Sequence, residues 1–380
     1  MDQTGSPWKA VGGARLLALT LILCTGLAVP GRAASPRDYE PVDLKALERA
    51  FTKLAEEVRP SVVAIRTYIG PNPKNRRGRM VTIPNSQGSG FVIDPEGYIA
   101  TNHHVIADAD TISVILHNGE QRYATVQQVD VRSDLAVIKI DAEGLKPVRW
   151  SDLSALEVGQ WAFACGNPFG LANRDGRISV SVGVVSALGR NMTDRLDANQ
   201  QIHYYGNLIE TSAAINPGNS GGPLFDIDGR LIGVVTAIET SSGVSEGTGF
   251  AIPIDKNTRR ILETLKTGQV YRYGYMGVEI NDVPPPQSRR VADSRTHRGA
   301  RITALSPPDG PAAEAELQAN DIVIEVDGTP VEDSDHLVRL IQFAPVGSEV
   351  EITYLRKNVK RKTKITLGDR AELVNSAPRE

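Results

Sequence analysis

Three side chains far apart in the chain have the chemistry to move an acyl group: Ser220 in NPGNSGGP (residues 216–223), His104 in ATNHHVI (residues 100–106) and Asp134 in VRSDLAVIKI. Acyl transfer at neutral pH needs an activated hydroxyl, a base for its proton, a carboxylate to orient the base, and donors for the developing oxyanion. Gly218, Gly221 and Gly222 permit backbone angles closed to other residues, so the turn around Ser220 can aim the N–H groups of Gly218 and Ser220 at one point. Taken alone, GNSGG fits an ordinary glycine loop equally well. His103 and His104 stand at the end of a strand that begins at YIA, where neighbours point to opposite faces, so one of the two is the base. No HExxH spacing or acidic ligand cluster accompanies the pair, which argues against a metal. Asp134 by itself reads as a turn residue at the entry to an apolar run.

The elements that must hold these groups are short strands. From Ser61 to about Pro253 the chain reads SVVAIRTY, GFVID, YIATN, TISVILHN, LAVIKI, WAFACG, ISVSVGVVSAL, LIGVVTAI and GFAIPI, separated by turn signals such as DPEG, HNG, NPFG and DIDG. Nine or more short strands predict a barrel or sandwich. One helix precedes them, over Asp43 to Val58, with Leu44, Leu47, Phe51, Leu54 and Val58 on one face and Pro60 ending it. Another, over Lys256 to Lys266, has Asp255 as its cap and Gly268 as its stop. Residues 271–370 then form a smaller unit with a helix over Asp333 to Phe343. Segments 70–87 and 281–299 are too polar or Pro-rich to pack and read as loops. The cationic run near Arg356 to Lys364 reads as a solvated strand edge rather than a nucleic-acid patch.

The chain has 380 residues, 41% hydrophobic and 23% charged, with a net charge of −3. Disorder, a nucleic-acid surface and a polyelectrolyte tail are poor fits. Two cysteines, Cys24 and Cys165, support neither a disulfide framework nor a four-ligand zinc site, and Cys165 beside Phe163 reads as a small buried hydrophobe. The apolar run over residues 16–29, behind Lys9 and Arg15 and ahead of Gly31, Ala33 and Ala34, reads as an export signal, with an uncleaved anchor as the alternative. The expected division is a leader or anchor (1–34), a helical segment (35–60), a strand-rich domain (61–268), a second domain (271–370) and a tail (371–380).

The order His, Asp, Ser with gaps of 30 and 86 residues is that of one double-barrel protease topology. The stretches TNHHVI, RSDLAVIKI, CGNPFGL, SALGR, NPGNSGGPL, GFAIPI and GYMGVEI resemble the HtrA/Deg family of exported serine proteases, which join a protease domain to PDZ domains. The resemblance runs from about Leu44 to Gly368. It implies a mainly β architecture, a chymotrypsin-like double β-barrel followed by one small α/β PDZ domain. It also implies His104 as general base and acid, Asp134 as its orienting partner and Ser220 as nucleophile. Gly218 and Ser220 would supply the oxyanion-hole N–H groups, with Asn219 shaping the loop between them, and Arg190 would begin a sensor loop running to about Gly206. Ser212 stands where the family commonly has Asp, and His103 where it often has Asn.

The pocket for the residue before the cut is expected from Ala213, Ala214 and Ile215, faced by Thr236, Ala237 and Ile238. No charge lies among them, so small or medium aliphatic side chains and weak selectivity follow, one methylene discriminating by only ~1 to 3 kcal/mol. Such permissiveness suits unfolded substrates. In GYMGVEI, Gly274 and Gly277 bracket Tyr275 and Met276, whose N–H groups can form a nest for a terminal carboxylate. Val278 and Ile280 share one strand face, with Leu337, Leu340 and Ile341 walling a groove, as in PDZ recognition of free C-termini. The expected activity is ATP-independent serine endopeptidase action on unfolded or damaged exported proteins in the periplasm, gated by peptide binding. The family resemblance further implies a homotrimer, with membrane association only through an uncleaved leader. No cofactor, metal or nucleic acid is implied. The alternatives are a holding chaperone or adaptor that does not cut, and a regulatory protease with one dedicated substrate.

Overall fold

The computed structural model describes residues 43–69, 84–173, 177–196, 202–236, 248–283 and 299–369. The leader, the tail, Ala237 and Ile238 lie outside the described residues, as do 70–83 and 284–298 of the two expected loops. The entry helix α1 spans Leu44–Val58. Its apolar stripe buries Leu54 and Val58, and Phe51 meets Trp161 and Phe163 edge-on, with ring centroids 5.2 and 5.0 Å apart. These edge-to-face contacts fix the stripe against the strands beyond what area burial alone supplies.

Six strands close the first barrel: β1 (Val62–Tyr68), β2 (Pro84–Asp94), β3 (Tyr98–Asn102), β4 (Thr111–Ile115), β5 (Gln121–Asp130) and β6 (Leu135–Lys139), in the order β1-β2-β3-β6-β5-β4, with β4 returning to β1. Strand β2 begins at Pro84, within the segment expected to be loop, because Gln87 pairs with Arg66 and Pro84 with Tyr68. Val63, Ile65, Val92, Ile99, Val114, Ala136 and Ile138 fill the interior. Between β3 and β4 the chain turns through α2 (His103–Ile106). The expectation that the two histidines sit on extended chain is therefore corrected. Asn102 is the last extended residue, with φ −79° and ψ 149°, and both imidazoles begin a helical turn. His103 is buried, and the His104 side chain keeps 28% of its surface exposed.

The second barrel follows a short strand, β7 (Arg149–Trp150), and consists of β8 (Trp161–Gly166), β9 (Ser179–Leu196), β10 (Ile202–Thr211), β11 (Pro223–Phe225), β12 (Arg230–Thr236) and β13 (Gly249–Pro253). The order β11-β8-β9-β10-β13-β12 closes through β11–β12 pairing, and β7 joins β12 in parallel. A large apolar cluster shared by the two barrels takes in Phe91, Leu135, Phe163, Tyr205, Leu208 and Phe225. Helix α3 (Lys256–Lys266) packs on this cluster through Ile261, Leu262 and Leu265, each buried side chain contributing about 1.5 to 3 kcal/mol. Asp255 caps it by accepting from the N–H groups of Asn257 and Thr258, both at 2.9 Å, and Gly268 leaves it with φ 76°.

The last unit contains β14 (Gly274–Tyr275), β15 (Val278–Asp282), β16 (Ala300–Leu305), α4 (Pro311–Glu314), β17 (Ile322–Val326), β18 (Thr329–Pro330), α5 (Ser334–Gln342), β19 (Glu349–Arg356), β20 (Val359–Thr366) and β21 (Gly368–Asp369). Its main sheet runs β15-β16-β17-β19-β20, which leaves β15 and β20 as edges, and β14 pairs with β21. Asp333 caps α5 by accepting from the His336 N–H at 2.6 Å. Leu337 and Ile341 turn inward with Met276, Ile302, Val323 and Ile352. No helix among the described residues is long and apolar enough to cross a membrane.

Candidate active site

Asp134 sits at the head of β6, fully buried and with φ 54°. A non-glycine residue in the left-handed region stores strain and persists only where its surroundings over-determine it, and three donors do so here. The backbone N–H of His104 reaches Oδ1 at 3.0 Å, His104 Nδ1 lies 2.7 Å from Oδ2, and the Tyr205 hydroxyl donates to the same Oδ2 at 2.8 Å. An ionised carboxylate only accepts, so Nδ1 carries the proton and Nε2 is left as the basic nitrogen. The Asp134 carbonyl is held as well, by the N–H of His103 at 3.1 Å and Asn102 Nδ2 at 2.9 Å. A buried, multiply held carboxylate gives the imidazole one orientation.

The glycine turn is held by β2 against the end of the strand that leads into α2. Ser89 N–H donates to the Ser220 carbonyl at 2.8 Å and Ser89 Oγ to the Gly218 carbonyl at 2.7 Å. Asn167 N–H in turn donates to Ser89 Oγ at 2.8 Å, and Thr101 Oγ1 to the Ser89 carbonyl at 2.7 Å. A Cβ on Gly221 would stand 2.2 Å from Thr101 Oγ1 and 2.9 Å from Asn102 N, so only glycine lets the turn press against the strand that leads into α2. Ser220, 6% exposed, is thus packed beside the start of α2.

Gly218 has φ 101°, and a Cβ there would meet the Asn167 carbonyl oxygen at 2.3 Å. The Pro217 carbonyl accepts from Phe169 N–H at 2.8 Å. In a trans peptide the C=O and the following N–H point opposite ways, so the Gly218 N–H is turned away from the Pro168 loop. The Asn219 N–H is committed to the Asn216 carbonyl at 2.9 Å, and its Nδ2 reaches the Ala214 carbonyl at 3.5 Å. That side chain shapes the turn.

Of the expected pocket residues, Ala213 and Ile215 are buried in the second barrel's core, Ala214 is exposed, and Thr236 is 1% exposed. Ser212 holds β9 by accepting from Val184 N–H at 3.0 Å. Arg190 on β9 pairs with Glu210 on the neighbouring strand β10, Nε to Oε2, at 2.5 Å. Cys165 is buried, which pushes its thiol up to about 12 and leaves it without thiolate character at neutral pH.

In the last unit, Tyr275, Met276, Gly277, Val278, Ile280, Leu337 and Ile341 all line one groove of about 350 Å³, together with Ser306, Val338 and Gln342. Gly277 has φ 82°, and its carbonyl accepts from Ser306 N–H at 2.9 Å. One wall is the open edge of β15, where a peptide strand could add.

Tyr205 and Ser89 carry no local sequence signature of their roles. Tyr205 lies in a stretch broken by Gly206 and Asn207, and Ser89 in a polar lead-in, SQGSG. The recurring signal was only that each adjoins a glycine that the packing requires.

Residues 88–234 match the model of the trypsin-like peptidase domain and residues 274–367 that of the PDZ domain. A protein described as a probable periplasmic serine endoprotease DegP-like, from Halomonas elongata, is 38% identical over 353 residues, covering 84% of this chain and 70% of its own length. One of the same description from Chlamydia pneumoniae is 34% identical, covering 98% and 78%. Among solved structures, the HtrA-type protease AlgW with tripeptide superposes with a TM-score of 0.64 at 33% identity, covering 84% of this chain and 97% of that one.

Proposed function

The chain belongs to the HtrA-type, DegP-like family of serine endoproteases, and from that premise we propose that it cuts unfolded or damaged exported proteins in the periplasm, without ATP, at a rate set by peptide capture in its PDZ groove. The observation that carries this reading is the 2.7 Å contact between His104 Nδ1 and Asp134 Oδ2, with the Ser220 turn docked beside it. In the proposed mechanism His104 Nε2 takes the Ser220 proton as Oγ attacks the scissile carbonyl. The N–H groups of Gly218 and Ser220 hold the oxyanion, while Asn219 keeps the turn in shape. The imidazolium, stabilised by Asp134, then protonates the leaving amine, and water repeats the sequence on the acyl-enzyme.

Ala214, Ile215, Thr236, Ala237 and Ile238 are proposed to shape the pocket for the residue before the cut, favouring aliphatic side chains. Arg190 is proposed to begin the sensor loop. The division into leader (1–34), helical segment (35–60), protease domain (61–268), PDZ domain (271–370) and tail (371–380) is part of the same reading, as is a homotrimer. Support for peptide capture comes from the groove beside β15 and from AlgW, a relative solved with a tripeptide and with a decapeptide.

The test incubates the full chain with unfolded casein, beside Ser220→Ala, and adds peptides with free or amidated C-termini. Cleavage by the wild type alone, stimulated only by the free form, is the expected result. Equal fragment yields from both proteins would remove the catalytic assignment, and equal stimulation by both peptides would remove carboxylate recognition.

A further inference from the structure

Tyr205 is 8% exposed, and its hydroxyl donates to Asp134 Oδ2 at 2.8 Å. His104 Nδ1 reaches the same oxygen at 2.7 Å. A second donor on the oxygen that orients the base fixes that oxygen's position and shares its lone pairs, so the hydroxyl bears on how firmly the imidazole is aimed. The tyrosine acts through the carboxylate.

The residue after it touches the PDZ unit. A Cβ on Gly206 would stand 2.8 Å from Gln342 Nε2 and 3.1 Å from Arg339 Cγ, both on α5. Gln342 also lines the peptide groove, so one side chain borders both the groove and the backbone next to Tyr205. Its Oε1 is buried and has no hydrogen-bond partner among the described residues, while the residue as a whole is 5% exposed. A buried acceptor in that state costs free energy and gains from the first donor to arrive, and a peptide adding along β15 brings backbone N–H groups into the same groove. Room for a response is present. A cavity of about 140 Å³ is lined by Tyr205, Gly206, Asn257, His336, Arg339 and Phe343.

We propose that Tyr205 is a positioning residue for Asp134, and that Gln342, through Gly206, couples its hydroxyl to the occupancy of the peptide groove. The second half rests on the peptide-gated reading above; the first half does not. When a peptide N–H engages Oε1, the amide swings and its Nε2 end leaves Gly206, which changes the packing against β10 and so how firmly the Tyr205 hydroxyl is held on Oδ2.

The test compares the wild-type full chain with Tyr205→Phe, Gly206→Ala and the double variant, on a chromogenic peptide substrate with and without a hydrophobic decapeptide bearing a free carboxylate. Tyr205→Phe is expected to lower kcat about tenfold with KM within about twofold, as loss of a hydrogen bond to a charged group would. Gly206→Ala is expected to keep the decapeptide Kd, read by fluorescence anisotropy, and to change the stimulation ratio by about threefold or more. Placed on Tyr205→Phe, it is expected to change nothing further. A Tyr205→Phe kcat within about twofold of wild type, or Gly206→Ala acting by the same factor in both backgrounds, would overturn the proposal. Should Tyr205→Phe fail to fold, Gly206→Ala decides alone: an unchanged ratio overturns the coupling and an altered ratio at unchanged Kd upholds it. Absence of stimulation in the wild type would instead sink the gating reading and the coupling with it, and basal kcat of Tyr205→Phe would then decide the positioning role.

Discussion

The carboxylate of Asp134 holds His104 at two points, accepting the backbone N–H on Oδ1 at 3.0 Å and facing ring Nδ1 from Oδ2 at 2.7 Å. Asp134→Asn keeps the shape, and asparagine tolerates the left-handed φ of 54°. It loses the charge and the acceptor that selects the tautomer. Turnover on unfolded casein should fall about 10⁴-fold, with the thermal midpoint by circular dichroism moving only a few degrees.

His104→Ala should cost roughly 10⁴-fold or more in kcat, because the members of such a constellation act as a unit. His103→Ala serves as the control, since His103 is buried and its backbone N–H bonds the Asp134 carbonyl, while it is the His104 ring that faces the Asp134 carboxylate. If steady-state rates showed His104→Ala losing less than about a hundredfold, the base would be another residue.

Gly218→Ala forces a methyl group against the Asn167 carbonyl at 2.3 Å, on a backbone at φ 101°. The turn must move, and the N–H it presents moves with it. Loss of one oxyanion donor costs about 10² to 10³ in kcat, so a drop of that order is expected with little change in KM. A crystal structure of the variant should show the 217–218 peptide displaced.

His336 on α5 has its pKa held below the ordinary 6.5, first by burial and then by the nearby Arg339, against the opposing pull of Glu332 and Asp333. Protonation is therefore disfavoured in the folded state. Between the lowered value and 6.5 the unfolded chain binds more protons, so stability rises with pH through that window and falls as pH drops below 6.5. Urea titrations from pH 5 to 7 should show a slope that His336→Gln flattens. An identical slope in the variant would assign the effect elsewhere.

Much of this was legible because burial and chemistry wrote the same residues. LAVIKI, YIATN and WAFACG became β6, β3 and β8, since strands buried on both faces carry continuous apolar runs. The helix at Lys256–Lys266 announced itself through Asp255 and Gly268. Strand β5, QRYATVQQVD, escaped notice because none of its residues is fully buried and its polar members outnumber its apolar ones. Strand β10 was hidden by its bulges around Gly206 and Asn207, the latter at φ 60°, which read as turn signals. That concealed Tyr205. The element that carries the two histidines is illegible in the sequence because a four-residue helix leaves no periodicity to read.

The PDZ sheet ends in two unlike margins. On β20, Lys362 and Lys364 reach Glu351 and Glu349 at 2.6 Å, and Lys360 lies 3.8 Å from Glu325. β15 borders an apolar groove. A strand added at β15 would lengthen the sheet in one direction, while at β20 an approaching strand would meet charged, glutamate-paired lysines, the kind of side chain that blunts an open edge. By this asymmetry the domain can accept an extended chain on one margin while its other margin discourages pairing between copies.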